Sequence, residues 1–281
     1  VPDINRAGMN YFPELGSGSN DQAIIYGLSA IRNVGEGVVA LLLEERNENG
    51  PFEDFYDFCN RVDTQVLNRR AIEALVKAGA FDSMGHKRQG LLTVYERIIE
   101  QTVSRRRERD MGVMTLFETE TDENSEVFDE KIVIPDLEFE KSQRLSFEKE
   151  MLGRYISDHP LKGYEGSIRR KCDVSISGLA GLEEGKVIKI GGVISELNKR
   201  YTARGDLMAN MSLEDLENSV EVIIFTKVMS QVGHKLNNDQ PVIVTGRIDR
   251  RDEALKIICM DLDELKSDEE TKISSIEVQI P

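Results

Sequence analysis

The stretch AIRNVGEGVVALLLEER, Ala30 to Arg46, decides how the first half of this chain folds. Val38, Val39, Leu41, Leu42 and Leu43 recur at helical spacing, whereas Asn33-Val34-Gly35-Glu36-Gly37 bends the chain instead of continuing a helix. Ile31 and Val34 are expected to anchor the bend to the helices on either side. Asn33 and Gly35 are expected at positions of positive φ, which asparagine and glycine enter at little cost. The N–H groups of Gly35, Glu36 and Gly37 then stand at the head of the next helix without partners inside it. That makes a ready anion site, which a side chain at Gly35 would block.

Outward from this stretch, residues 21–109 read as short amphipathic helices punctuated by Gly50-Pro51, Gly79 and Gly85. LVKAGAFDSMGHKRQGLL repeats the arrangement, with Gly79 and Gly85 between two helical pieces and Lys87 and Arg88 at the head of the second. The helix that follows ends in SRRRERD, which concentrates Arg105, Arg106, Arg107 and Arg109. This spacing resembles the helix-hairpin-helix of DNA-repair and replication proteins, where backbone amides grip one strand's phosphate without reading bases. Phosphate contacts are therefore expected from Asn33, Gly35, Glu36, Gly37, Gly79, Lys87, Arg88, Arg105, Arg106 and Arg107. A glycine cap in an all-α bundle and an arginine-rich helix end complementing its own dipole are the plainer alternatives.

A chain of 281 residues, 40% hydrophobic and 31% charged, can bury a sizeable core and suggests two compact units. No apolar run approaches the ~20 residues of a membrane span, and the N-terminus lacks a basic region followed by an apolar stretch, so a cytoplasmic protein is expected. Because the sequence starts at Val1 without methionine, a piece of a longer protein is expected. Cys59, Cys172 and Cys259 are far apart, and only His86, His159 and His234 supply imidazoles. That argues against a disulfide framework and against a metal site. The net charge is −15, of which residues 118–150 carry −8 and residues 261–281 carry −5. The compact parts are thus nearly neutral, with room for basic patches.

From Lys186 the apolar period changes to two. KVIKIGGVISEL, DLMANMSLEDL, SVEVIIF, QPVIVTGRID and ALKIICMDL are five strand candidates, with a helical candidate, TKVMSQVGHKL, after the third. That order is the order of an OB-fold barrel. The basic turn NKRYTARGD between the first two strands offers Lys199, Arg200, Tyr201 and Arg204 to single-stranded nucleic acid, with Arg247, Arg250 and Arg251 near the later loop. Few aromatic residues are available for stacking, so a barrel that contacts protein stays open.

YGLSAIRNVGEG, LNRRAIEALVKAGAFD, EKEMLGRYISDHPL and LEDLENSVEVIIF resemble the C-terminal region of bacterial replicative DNA polymerase III alpha subunits, over Val1 to about Leu262. The resemblance implies a noncatalytic C-terminal part of a DNA-directed DNA polymerase: tandem helix-hairpin-helix motifs, a clamp-binding peptide and an OB domain. The catalytic acids that hold Mg2+ would lie upstream. It also implies duplex DNA, single-stranded template and the sliding clamp as partners, with the clamp loader and other replisome subunits beyond them and no membrane. In MGVMTLFE, the apolar residues Met114, Leu116 and Phe117 sit in a segment too short for a core, and they match the family's clamp-binding position, with Val113 where the family favours glutamine.

The expected architecture is an all-α tandem helix-hairpin-helix domain, an acidic linker and an all-β OB-fold barrel. Its parts are a connection over 1–20 from an upstream fingers domain, a DNA-binding domain over 21–110, a clamp peptide over 111–118, an acidic and helical linker over 119–171, the barrel over 172–262 and an acidic tail over 263–281. The carboxylates cluster in linker sequence such as ETETDENSE, with no catalytic pair and no Ser-His-Asp or Cys-His grouping. Two rivals remain: a stand-alone adaptor or repair scaffold built from the same two modules, and a barrel that binds tRNA or protein.

Overall fold

The computed structural model describes residues 1–15, 22–111, 131–250 and 254–266. The chain divides into two compact units, Val1–Ser157 and Asp158–Pro281.

The first unit is helical: α1 (Glu36–Asn49), α2 (Phe55–Arg61), α3 (Arg69–Lys77), α4 (Arg88–Asp110) and α5 (Lys141–Leu152), with a two-stranded ribbon, β1 (Phe12–Leu15) against β2 (Gln22–Ile25). Phe52, Phe55, Phe58 and Phe81 form the centre of its core, with ring centroids 5.0–6.1 Å apart. Each ring removes a large apolar area from water, and edge-on pairing adds to that burial. Asp54 caps α2 by accepting from the Asp57 N–H at 2.7 Å, and Asn68 caps α3 by accepting from the Arg70 N–H at 2.9 Å.

Two segments differ from the connections expected of them. Ile4 and Ala7 are fully buried, and the Arg46 guanidinium donates to both of their carbonyls at 2.8 Å, so the first residues belong to this core. Residues 131–157 form a strap across the unit. Ile132 and Ile134 pack on its core, the Tyr56 hydroxyl donates to the Ile132 carbonyl, and the Tyr26 hydroxyl donates to the Leu152 carbonyl at 2.7 Å. The acidic composition of 118–150 hid this docking, because the strap's apolar anchors are few and one of its carboxylates, Glu148, is buried against Arg88 instead of facing water.

The second unit is the barrel: α6 (Glu165–Lys171), β3 (Val187–Tyr201), β4 (Leu207–Glu214), β5 (Ser219–Ile224), α7 (Thr226–Val232), β6 (Pro241–Asp249) and β7 (Lys256–Glu264). The strands close in the order β3-β4-β5-β7-β6, antiparallel except where β5 meets β7. This is the OB arrangement, and the five strands and intervening helix fall where the alternation put them. β3 serves both flanks: Val187–Val193 pair with β6, Val193–Tyr201 with β4, and a register shift between Ile194 and Glu196 turns the strand. Gly192 makes the crossing possible, since a Cβ there would lie 2.8 Å from the Glu214 carbonyl oxygen. Ile188, Ile190, Ile194, Met211, Val222 and Val244 fill the interior. The cysteines are free, and burial pushes the Cys59 and Cys259 thiols up to about 12.

Candidate nucleic-acid interface

The hairpin of the opening stretch forms at the tip between a 3-10 turn at Leu28–Ala30 and α1. Ile31 and Val34 are buried as anchors, and the Val34 N–H donates to the Ile31 carbonyl at 3.1 Å. The Arg32 N–H donates to the Met151 carbonyl at 2.9 Å, which ties the bend to the end of α5. Asn33 takes φ 67, as its side chain allows. Gly35 does not: it is the extended N-cap of α1 at φ −77, ψ 150, a conformation open to any residue. No side chain caps α1, and the Val39 N–H bonding to the Gly35 carbonyl at 3.1 Å begins the helix, so the N–H groups of Gly35 to Val38 precede its ladder.

What the glycines do here follows from the space around them. A Cβ at Gly35 or at Gly37 would meet nothing within 4 Å. Both residues are exposed, Gly35 as the N-cap of α1 and Gly37 as its second residue, where the backbone is open to other residues. The fold therefore requires glycine at neither position. A bare surface over unpaired N–H groups at a helix N-terminus suits the close approach of an anion. Glu36, exposed in the first turn, favours the same dipole end, while exposed Arg32 supplies a cation beside it that the sequence reading did not single out.

The second glycine cluster does something else, and two of its expected phosphate contacts, Gly79 and Arg88, are corrected. Gly79 is buried at φ 81, and a Cβ there would lie 2.2 Å from the Arg88 guanidinium. Arg88 is 3% exposed. It bonds Asp82 through Nε at 3.0 Å and Nη2 at 2.7 Å, Glu148 at 3.1 Å and the Lys77 carbonyl at 3.3 Å. Burial pulls this guanidinium toward neutrality, but the bonds to Asp82 and the attraction of Glu148 outweigh it and hold its pKa above the usual arginine value. Glu148 is fully buried, and its second carboxylate oxygen accepts from the Ser157 N–H at 2.9 Å and the Ser157 hydroxyl at 3.0 Å. Arg88 is thus the cation of an internal ion-pair network with Asp82 and Glu148, and Gly79 leaves room for its guanidinium; neither belongs to a phosphate cradle.

The head of α4 is also occupied: the Gly90 N–H donates to the Leu137 carbonyl at 3.0 Å, and a Cβ at Gly90 would meet the Pro135 carbonyl oxygen at 1.9 Å. Lys87 alone of that cluster's cations is exposed. At the other end of α4, Arg106 donates to the carbonyls of Cys59 at 2.6 Å and Val62 at 2.7 Å and so pins the α2–α3 turn; it too is structural. Arg107 is exposed and Arg105 half-buried. At a rise of about 1.5 Å per residue, Lys87 and Arg107 stand roughly 30 Å apart and cannot meet one phosphate.

On the barrel, Lys199, Arg200, Tyr201 and Arg204 are all exposed on the β3–β4 hairpin, whose turn closes with the Thr202 N–H donating to the Asp206 carbonyl at 2.8 Å and with Gly205 at φ 82. Alternation along β3 sets Arg200 on the opposite side from Lys199 and Tyr201. Arg250 is held inward, with Nη2 donating to the carbonyls of Leu179, Ala180 and Leu182 at 2.9–3.0 Å. Arg251 and the expected clamp residues Val113, Met114, Leu116 and Phe117 lie outside the described residues. Among the described residues no group of three or more His, Cys, Asp or Glu is placed to hold a metal ion, and no helix is long and apolar enough to cross a membrane.

Residues 1–91 match the family described as a helix-hairpin-helix motif. Across 93% of its length the chain is 35% identical to the DNA polymerase III subunit alpha of Mycobacterium tuberculosis, and across 92% it is 38% identical to that of Saccharopolyspora erythraea. The chain is homologous to a segment of DNA polymerase III subunit alpha. It spans 22% of the length of these curated polymerase subunits. Among solved structures, a mitochondrial single-stranded DNA binding protein of S. cerevisiae, Rim1, aligns with 30% of this chain and 98% of its own at 15% identity and a TM-score of 0.26, too slight a likeness to bear on function.

Proposed function

We propose that this chain is a noncatalytic part of a replicative DNA polymerase III alpha subunit, acting in the cytoplasm to hold DNA and the sliding clamp while upstream residues do the chemistry. The observation that carries the reading is the uncapped head of α1, where two glycines that the fold does not require leave backbone N–H groups bare. Duplex DNA is bound there through phosphate, without sequence preference. Lys87 and Arg107 add longer-range attraction to the backbone, and the barrel takes single-stranded template through Arg200, Arg204, Lys199 and Tyr201. The Mg2+ of such a polymerase and its catalytic carboxylates belong, in this reading, to the parent's other parts, and this chain alone extends no primer.

Duplex affinity is expected to fall with salt at a slope near −0.9 per phosphate contacted. Gly35→Val should weaken binding severalfold with only a small drop in the fold's melting, because valine can take the extended N-cap backbone and its Cβ meets no neighbour, although glycine is the better cap. Anisotropy titrations with a labelled duplex between low and moderate salt check this, and an affinity indifferent to salt would end the phosphate reading.

The clamp tether is proposed at Val113, Met114, Leu116 and Phe117. Linked weak sites raise effective concentration, so a peptide of modest affinity suffices for a processive complex. Burying Leu116 and Phe117 contributes about 1.5–3 kcal/mol each before the cost of ordering the segment. Replacing both with alanine should abolish clamp capture in surface-plasmon measurements and leave duplex binding intact, whereas Val113→Gln should strengthen capture. Unaltered capture by the double variant would put the tether elsewhere.

A further inference from the structure

The outer face of β3, β4 and β5 sorts its side chains into three rows by register. Arg200 pairs with Met208, and Met208 lies opposite Phe225, one residue beyond the Ala209–Ile224 pair; Asn198 pairs with Asn210, and Asn210 with Ile223; Glu196 pairs with Ser212, and Ser212 with Glu221. Phe225 follows β5 in extended backbone at φ −76, ψ 160 and so continues the outward alternation of Glu221 and Ile223. It is 49% exposed, although it is a phenylalanine on a face otherwise mostly polar, and Met208 beneath it is 9% exposed. The row nearest the hairpin is therefore a cation, an apolar floor and an aromatic ring across about 10 Å. The far row is acidic: Glu196 is exposed, and Glu221 is shared between the Asn210 amide at 3.0 Å and the Lys256 ammonium at 3.6 Å.

We infer that Phe225, with Arg200 across Met208 from it, is the base-stacking platform of the barrel, and that the acidic row ends the footprint, so that a single strand crosses the hairpin end of the face and does not run its length. The inference rests on the single-strand reading of the barrel. A nucleobase on the Phe225 ring shields half-exposed apolar surface, and its phosphate is drawn to Arg200 and Arg204 and kept from Glu196 and Glu221. Tyr201, the aromatic residue that sequence reading picks out on the turn, alternates to the other side of β3 and does not share this row.

The test is a titration of the full chain with a labelled oligothymidylate in excess unlabelled duplex, repeated over a range of salt. Phe225→Ala should lower affinity about tenfold while leaving the salt slope unchanged, because stacking releases no counterion; Phe225→Trp should restore it. Arg200→Ala should lower affinity and reduce the slope by about 0.7, and Glu196→Gln should raise affinity at low salt. Thermal melting of each variant reports the fold. If Phe225→Ala binds like the parent chain while Arg200→Ala is weakened, the platform is elsewhere and the single-strand reading stands. If the parent chain binds no oligothymidylate at all, that reading fails together with the inference.

Discussion

Replacing Arg88 with alanine is expected to lower the stability of the helical unit by about 3–5 kcal/mol, because the fully buried Glu148 carboxylate then loses the charge that faces it. In a unit of this size that is a loss of roughly 10 °C in melting temperature. Glu148→Ala should cost about as much, leaving the guanidinium with the half-exposed Asp82 as its one counter-charge and releasing the backbone of Ser157. Combining Arg88→Met with Glu148→Leu should recover much of the loss, since two apolar side chains of similar volume need no compensating charge. Calorimetry of the full chain separates this from the barrel, whose transition should not move. If Arg88→Ala melts with the parent, the ion pair is not what fastens the strap.

The second large effect is expected at Gly90. A methyl group there would stand 1.9 Å from the Pro135 carbonyl oxygen, so Gly90→Ala forces the strap off the head of α4. The Gly90–Leu137 hydrogen bond is lost, the Tyr56–Ile132 bond is strained, and Ile132 and Ile134 lose their seat on the core. Together these should cost about 2–4 kcal/mol, more than the helical preference of alanine over glycine returns. Limited proteolysis should then cut within 131–140 many times faster than in the parent chain. Equal cleavage rates would mean that the strap tolerates the methyl group.

These two predictions mark where the sequence was opaque. In GHKRQG, Arg88 stands next to Lys87 and looks like surface; only its approach to Glu148, 60 residues on, shows that one of the two cations is internal. Gly79 could be read as a phosphate turn or as room for a guanidinium, and nothing local distinguishes them. LNRRAIEALVKAGAFD and EKEMLGRYISDHPL, two of the stretches that carry the resemblance, hold Gly79, Asp82, Glu148 and Ser157, the members of this network and its surroundings. The barrel was legible because a period of two, five strands and one helix leave few arrangements. The first hairpin was legible because Asn33, Ile31 and Val34 are each the residue type their place needs. Phe225 was not, because its exposure depends on where β5 ends against β4.

The central claim is that the bare N–H groups at the head of α1 hold DNA phosphate, and amide chemical-shift mapping addresses it directly. Adding a short duplex at low salt to the 15N-labelled chain should shift the amides of Gly35, Glu36, Gly37 and Val38 most strongly within the helical unit, with a smaller response at Lys87 and none at Gly79 or Gly90, whose surroundings are closed. In Gly35→Val the same amides should respond only at much higher DNA concentration. Shifts centred on the head of α4, or amides of Gly35 to Val38 unmoved at saturating duplex, would contradict the account.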